Sequence, residues 1–422
     1  MRCLGTLVFA LLAPCADIAA AQTPLSGYVS VFADYLANRN DTAEIRSRIF
    51  AEDVLNPTPR LLITASGFVE GLVAKRSTTR TDAIFRVQEA TLDLRGDRLD
   101  VFAGFGTIAW GRLDELQPTD VVNPLDVSRF FFEGRSEARL PVGMARVRLF
   151  LSEKASIEGV YVPFFRRGRF DQLDEGTSPF NIARVTIVPA ASPNVTLLPI
   201  EFREREPSSS LRNSQGGARL SATTGRMDWS VSAYRGLEPF GLYRSGPISP
   251  VAAFVPVDII YPRFTMVGGD FETVRRQWGV RGEIAAFVRD SFQAPSIAVV
   301  HGNSLDAGVG VDRKAGDYRV SGTVLLHRES YDGAIAGETG RTDVSLVASL
   351  DRTFARERYQ VRGFGVYNPS GRSAFLRTIA TAKLRDDVAL EGSGGWFIGD
   401  GRDPVGRFSD RDFLYLRLKC YF

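Results

Sequence analysis

Cysteine is almost missing from this chain. Only Cys3, Cys15 and Cys420 occur among 422 residues, and the first two sit in a stretch patterned as a removable leader. An internal disulfide framework and zinc sites built on several thiolates are therefore excluded. Histidine is as scarce, with His301 and His327 alone. Lysine stands at five positions (75, 154, 314, 383 and 419), so nearly all the positive charge is arginine. A formal net charge of +3 is too small to argue for nucleic acid as a partner. Past the leader, no segment holds the roughly 18 unbroken apolar residues that a membrane helix needs. Phosphate-cradling glycine loops and specific metal-ligand spacings are lacking as well. The oxygen-rich clusters Asp114/Glu115, Asp171/Asp174/Glu175 and Asp400/Asp403 read as solvated loop carboxylates, so no metal or cofactor is expected.

What the chain does have is alternation. Arg2, the apolar run Leu4 to Ala13 and the small residues Ala19-Ala20-Ala21 before Gln22 predict a secretory signal over 1–21, which leaves 22–422 as one domain. Apolar and polar residues then alternate with the period of two expected of strands, near 27–37, 43–54, 60–75, 83–95, 98–109, 144–152, 155–164, 215–224 and 227–236. The pattern continues near 263–274, 277–288, 304–313, 317–328, 343–353, 358–367, 374–385, 388–398 and 411–422. Segment 43–54 is the weakest strand, because Thr42-Ala43-Glu44-Ile45 also reads as a helix start. Even-numbered connections are tight turns, such as Gly96-Asp97 and Gly225-Arg226. Every long connection (110–143, 165–214, 237–262, 289–303, 329–342, 399–410) falls in the odd set. Short turns on one rim and long loops on the other define a fold class. It is all-β: a single transmembrane antiparallel up-and-down β-barrel of about 18 strands (16–18), in the bacterial outer membrane. A soluble sandwich gives no reason for loops to sort by parity.

The faces agree. Trp229, Val231 and Ala233 oppose Asp228, Ser230 and Ser232; Tyr318, Val320 and Val324 oppose Arg319, Ser321 and Thr323. Trp110, Trp278, Tyr318, Tyr359 and Trp396 suit interface girdles. The apolar parity switches between Val87 and Ala90, which predicts a bulge.

The wet face of such a wall is rich in arginine. Arg146, Arg148, Arg319, Arg362, Arg377, Arg417 and Lys419 are the lumen and selectivity candidates, against fewer acids such as Glu158, Asp270, Glu272 and Glu283. Rings of Arg and Lys favour anions, whereas cross-strand ion pairs only stiffen the wall; both readings stand open. The connection after residue 109 carries Arg112, Asp114, Asp120, Asn123 and Asp126 and then Phe130-Phe131-Phe132, three rings that water does not solvate well. It is expected to fold into the barrel or against its rim. The 165–214 connection, with Arg166, Arg167 and Arg169, is the second candidate constriction, or else a surface cap. His327 sits on an inward face, but sequence pairs it with no nucleophile, so catalysis is not expected.

Two resemblances follow. Arg411 to Phe422 (RDFLYLRLKCYF) resembles the closing strand of Gram-negative outer-membrane barrels, which is read by the barrel-assembly machinery. Residues 104–126 (GFGTIAWGRLDELQPTDVVNPLD) resemble proteobacterial outer-membrane barrels grouped as a domain of unknown function and often encoded beside resistance–nodulation–division (RND) exporters. Trp110-Gly111 and Asn123-Pro124-Leu125-Asp126 match that family's Trp-Gly and Asn-Pro-x-Asp elements. Its Gly-Arg-Gln element is replaced by Gly104-Phe105-Gly106. The resemblance implies a transport-related barrel among outer-membrane lipid and lipopolysaccharide, with an RND-type or other periplasmic export partner. It transfers no catalytic residue. Two functions are carried forward: a porin-like or export-associated channel for small polar, anionic or amphipathic solutes, and a loop-sealed barrel that binds polysaccharide or lipid at the surface.

Overall fold

The computed structural model describes residues 25–37, 42–75, 78–170, 200–246, 255–293, 299–332, 339–400, 403 and 405–422. The expected leader and Asp171, Asp174 and Glu175 lie outside them. The first seven strands are β1 (Ser26–Leu36), β2 (Thr42–Thr58), β3 (Leu61–Lys75), β4 (Thr79–Arg95), β5 (Leu99–Gly106), β6 (Val142–Ser152) and β7 (Ala155–Val162). There follow β8 (Ile200–Arg205), β9 (Gln215–Thr224), β10 (Met227–Leu237), β11 (Leu242–Ser245), β12 (Val255–Ile260), β13 (Arg263–Arg275) and β14 (Trp278–Gln293). The last seven are β15 (Val299–Ala315), β16 (Tyr318–Asp332), β17 (Gly340–Phe354), β18 (Tyr359–Asn368), β19 (Ser373–Arg385), β20 (Val388–Ile398) and β21 (Phe413–Tyr421).

Eighteen of these pair antiparallel with their neighbours in chain order, and β21 closes on β1 from Tyr28↔Tyr421 to Leu36↔Phe413. Closure removes the sheet edges, the one way strands can cross hydrocarbon with every backbone group paired. β8, β11 and β12 form a separate three-stranded sheet on the long-loop side. The inner turns are tight; Gly225, Gly316 and Arg276 take the left-handed conformation in three of them.

Local propensity yields to the ladder in β2. Thr42 to Ile45 is strand, paired on both edges to β1 and β3, and two sets of ladder bonds outweigh a helix-start pattern. The bulge is where the parity break placed it: Ser66 faces Glu89 and Gly67 faces Val87, which leaves Gln88 without an opposite residue. Hence Phe85 and Leu92, of opposite parity, both face outward.

One expectation needs correction. β5 stops at Gly106, so Trp110 is no girdle residue. It turns inward and is fully buried. From there the connection over residues 107–141 runs inside the cylinder, carrying helices α1 (Val127–Glu133) and α2 (Arg135–Ala138).

Candidate functional site

The inward connection is seated on the wall at two places of different chemistry. On one side, Phe132 of α1 packs edge-on against Phe32, Phe413 and Tyr415, while Phe131 meets Phe375, Phe397 and Phe408. Burial of each ring contributes about 1.5–3 kcal/mol, with about 0.5–1.5 more for each aromatic pair. Charges flank this cluster. Glu133 lies 3.0 Å from Arg48 and 3.9 Å from Arg417, and Arg417 also bonds Glu391 at 2.8 Å. Burial raises the Glu133 carboxyl, but Arg48, Arg129 and Arg417 outweigh it and hold the group below the usual carboxylate range. Arg377 donates to the Phe132 carbonyl at 2.7 Å and tethers the end of α1.

On the opposite wall the seat is polar and glycine-notched. One carboxylate, Glu283 of β14, accepts the backbone N–H groups of Arg112, Leu113 (2.6 Å) and Thr119 (3.3 Å) and the Thr119 hydroxyl (3.1 Å). A Cβ on Gly111 (φ 100°) would stand 2.9 Å from both Glu283 oxygens, so only glycine lets the backbone close on that carboxylate. Leu113 occupies the notch left by Gly308 and Gly310, and Thr119 the one at Gly268. Arg112 bonds Asp270 at 2.6 Å and Glu272 at 3.2 Å. Trp110 donates its indole N–H to Glu158 at 2.9 Å within an apolar cluster that includes Tyr234, Phe264 and Phe287.

The remaining candidates have specific places. Asn123 accepts from the Ile108 N–H at 2.9 Å and donates to the Leu140 carbonyl at 2.9 Å, which closes the connection on itself. Asp120 gathers Arg135 and Arg139. Asp126 is 3.6 Å from Arg86, and its neighbours bridge to Arg169 through Val127 N–H to Arg169 O. Arg166 caps the Pro141 carbonyl over the Phe105 ring; burial and the nearby Arg169 push it down to about 10. Arg167 belongs instead to the outer sheet, against Glu204 and Glu206. Arg148 and Arg146 share Glu158, at 2.6 and 4.0 Å. Lys419 lies over the Tyr28 ring.

Along β15–β18 the described residues leave a cavity. It lies at the inner rim, measures about 630 Å³ and is lined by Arg319, Asp351, Arg362 and the turns at 316–317 and 355–357, with Asp114 and Glu115 as its ceiling. Glu115 bonds Arg362 at 2.5 Å, and Asp114 bonds Arg281 at 2.6 Å. Above, the space narrows to about 10 Å³ between Leu113 and Leu116 of the connection and Leu325, Val347 and Phe364 of the wall. That holds about one water molecule. Beyond it, both ring nitrogens of His327 meet carboxylates, Asp306 and Glu329. The inward rungs of β16 and β17 read Arg319↔Asp351, Ser321↔Ser349, Thr323↔Val347, Leu325↔Ser345, His327↔Asp343 and Glu329↔Arg341. On β16 and β17 each charged rung pairs opposite signs, with neutral rungs between, while Lys314 of β15 and Arg362 of β18 flank the innermost one.

Sequence reasoning named Glu283 and Asp270 only as inward acids and gave His327 no partner. Inward parity was the signal, and it carries no information about contacts 170 residues away in the chain.

Comparison places this architecture. The chain is similar in fold to OccAB3 of Acinetobacter baumannii (11% identity, TM-score 0.51, covering 94% of this chain and 98% of that one). It is likewise similar to OccK5 (OpdH) of Pseudomonas aeruginosa (9% identity, TM-score 0.50, covering 94% and 97%). A search of curated proteins finds no match. A closed, apolar-walled cylinder of 18 antiparallel strands is a bacterial outer-membrane barrel. Residues 87–353 match the model of DUF1302, a family described as a protein of unknown function, and that span, more than half the chain, makes this protein a member of the DUF1302 family.

Proposed function

We propose that this barrel is a passive outer-membrane channel whose path runs along the β15–β18 wall, past the seated connection. The carrying observation is that polar cavity at the inner rim, above which the connection and the wall approach each other in an apolar narrowing. The charged rungs of β16 and β17 pair opposite signs, which favours small polar solutes, zwitterionic or amphipathic, over strong anion selectivity. The arginines chosen from sequence are largely engaged: Arg148 with Glu158, Arg362 with Glu115 and Asp351, and Arg417 with Glu391. An export-associated role, with a periplasmic partner delivering solute to the inner rim, belongs to the same reading. A hydrolase reading is disfavoured, because carboxylates occupy both nitrogens of His327.

A sealed binding barrel is the second reading, favoured by the firm seating of the connection on two walls. Single-channel recording separates the two. Leu113→Ala with Leu116→Ala widens the narrowing and is expected to raise conductance severalfold in planar bilayers. Conductance that is absent from both the parent and this variant would establish the sealed reading.

A further inference from the structure

The lipid side of the same sector carries a feature that the channel reading does not use. At the inner end of β14–β18, four aromatic residues and two arginines share the outward face. Trp278 and Arg313 are cross-strand partners, as are Tyr318 and Arg352. Arg313 lies 5.2 Å over the Trp278 ring and Arg352 5.0 Å over the Tyr318 ring. Arg352 also covers Phe354, which stacks on Tyr359. Parity places all of them outside: Ile284, Val309, Val320, Leu350 and Val361 on the same faces of these strands are exposed to lipid.

Neither arginine has an acid within ion-pair distance among the described residues. The Arg313 guanidinium donates to the Gln277 side chain, and Arg352 has only its rings. The inner ends of β4 and β6 contrast with this, presenting Leu92, Leu94, Leu149 and Leu151. An arginine on the lipid face of a barrel is tolerated only near the interface, where its stem snorkels and its head meets the headgroup layer. Rings at that depth fix the guanidinium at the level of lipid phosphates.

We propose that this belt is a binding site for the phosphate of an anionic phospholipid of the inner leaflet, with Arg313 and Arg352 as its cations and Trp278, Tyr318 and Phe354 holding them in place. The acyl chains lie on Val309, Val320, Leu350 and Val361. Each surface cation of this kind gives about a fivefold preference for anionic lipid, or roughly 25-fold if the two add. The preference falls as salt screens it.

Trp278 reports on its own neighbours. In proteoliposomes of the full chain carrying Trp229→Phe and Trp396→Phe, a small fraction of brominated phosphatidylglycerol should quench the remaining exposed tryptophan more strongly than the same fraction of brominated phosphatidylcholine. Arg313→Gln with Arg352→Gln should abolish the difference. Arg313→Lys with Arg352→Lys should keep most of it, and so should Arg235→Gln, which removes a lipid-facing arginine from the outer end of β10. Gel mobility of unheated samples confirms that each variant is folded. Equal quenching by the two lipids in the parent, or a preference that survives both glutamine substitutions, overturns the assignment.

Discussion

Two sides of the same lumen are filled and unfilled for opposite reasons. Where β1 and β19–β21 face inward they present Phe32, Phe375, Phe397 and Phe413, and α1 packs its own rings among them. Where β16 and β17 face inward they present serine, threonine and matched charges around Leu325 and Val347, and the connection touches that apolar pair but leaves the space at the inner rim unfilled. An aromatic wall gives a segment inside a barrel something to bury against. A hydrated polar wall gives it nothing that water does not already supply. The strand count sets how wide the cylinder is, but side-chain chemistry sector by sector decides which part of it remains a path.

That contrast can be broken at either seat. Phe132→Ala removes a fully buried ring from the aromatic side and is expected to cost about 3–5 kcal/mol, seen as a lower unfolding temperature in detergent, with little change in conductance. Glu283→Ala strands three backbone N–H groups and is expected to cost about 3 kcal/mol in unfolding measurements, less where water from the inner-rim cavity reaches them. Its distinguishing effect is on current: the freed 111–119 tip should make single-channel recordings noisy. If Phe132→Ala produced the noisy channel and Glu283→Ala a quiet one, the two seats would have been assigned the wrong way round.

Much of this was legible in advance. All eighteen barrel strands follow from period-two alternation, and the Phe130-Phe131-Phe132 run already pointed the first long connection into the barrel or against its rim. Trp110 was misplaced because an aromatic residue at a strand end reads the same whether it leaves toward lipid or turns into the barrel. The Glu283 clamp and the notches at Gly268, Gly308 and Gly310 were not legible at all. Alternation tells which face a residue is on. It says nothing about which rung, half a circumference away, a connection will reach, because strand tilt and stagger set that. The arginines illustrate the same limit: their excess on the wet face was visible, whereas their partners Glu115 and Glu133 came from the inserted connection.

The aromatic side also carries its own acid sensitivity. Glu133 is held below its ordinary value by Arg48, Arg129 and Arg417 against the effect of burial. A carboxyl lowered on folding contributes stability above its unfolded pKa of about 4.3, and that contribution is lost as pH falls below it. The unfolding temperature should therefore drop faster below about pH 4 in the parent than in Glu133→Gln. That variant bears a cost of about 3 kcal/mol at neutral pH for leaving Arg48 and Arg417 less compensated. The two curves should converge in acid; parallel curves would remove Glu133 from the seat.

The smallest effect tests the balance of charge along β16 and β17. Arg319 and Asp351 face each other across β16 and β17 at the inner rim. In a hydrated, partly exposed pair each charge shifts the local potential by at most about 1 kcal/mol, or about fivefold in ion preference. Arg319→Ser alone should move the reversal potential toward cations by no more than that, because one cation is removed from the wall. Arg319→Ser with Asp351→Ser should restore it, since a matched rung has been exchanged for another neutral one. A lane whose arginines set anion selectivity on their own would instead lose that selectivity equally in both variants, and the difference between the single and the double substitution measures how far charge on this wall is compensated.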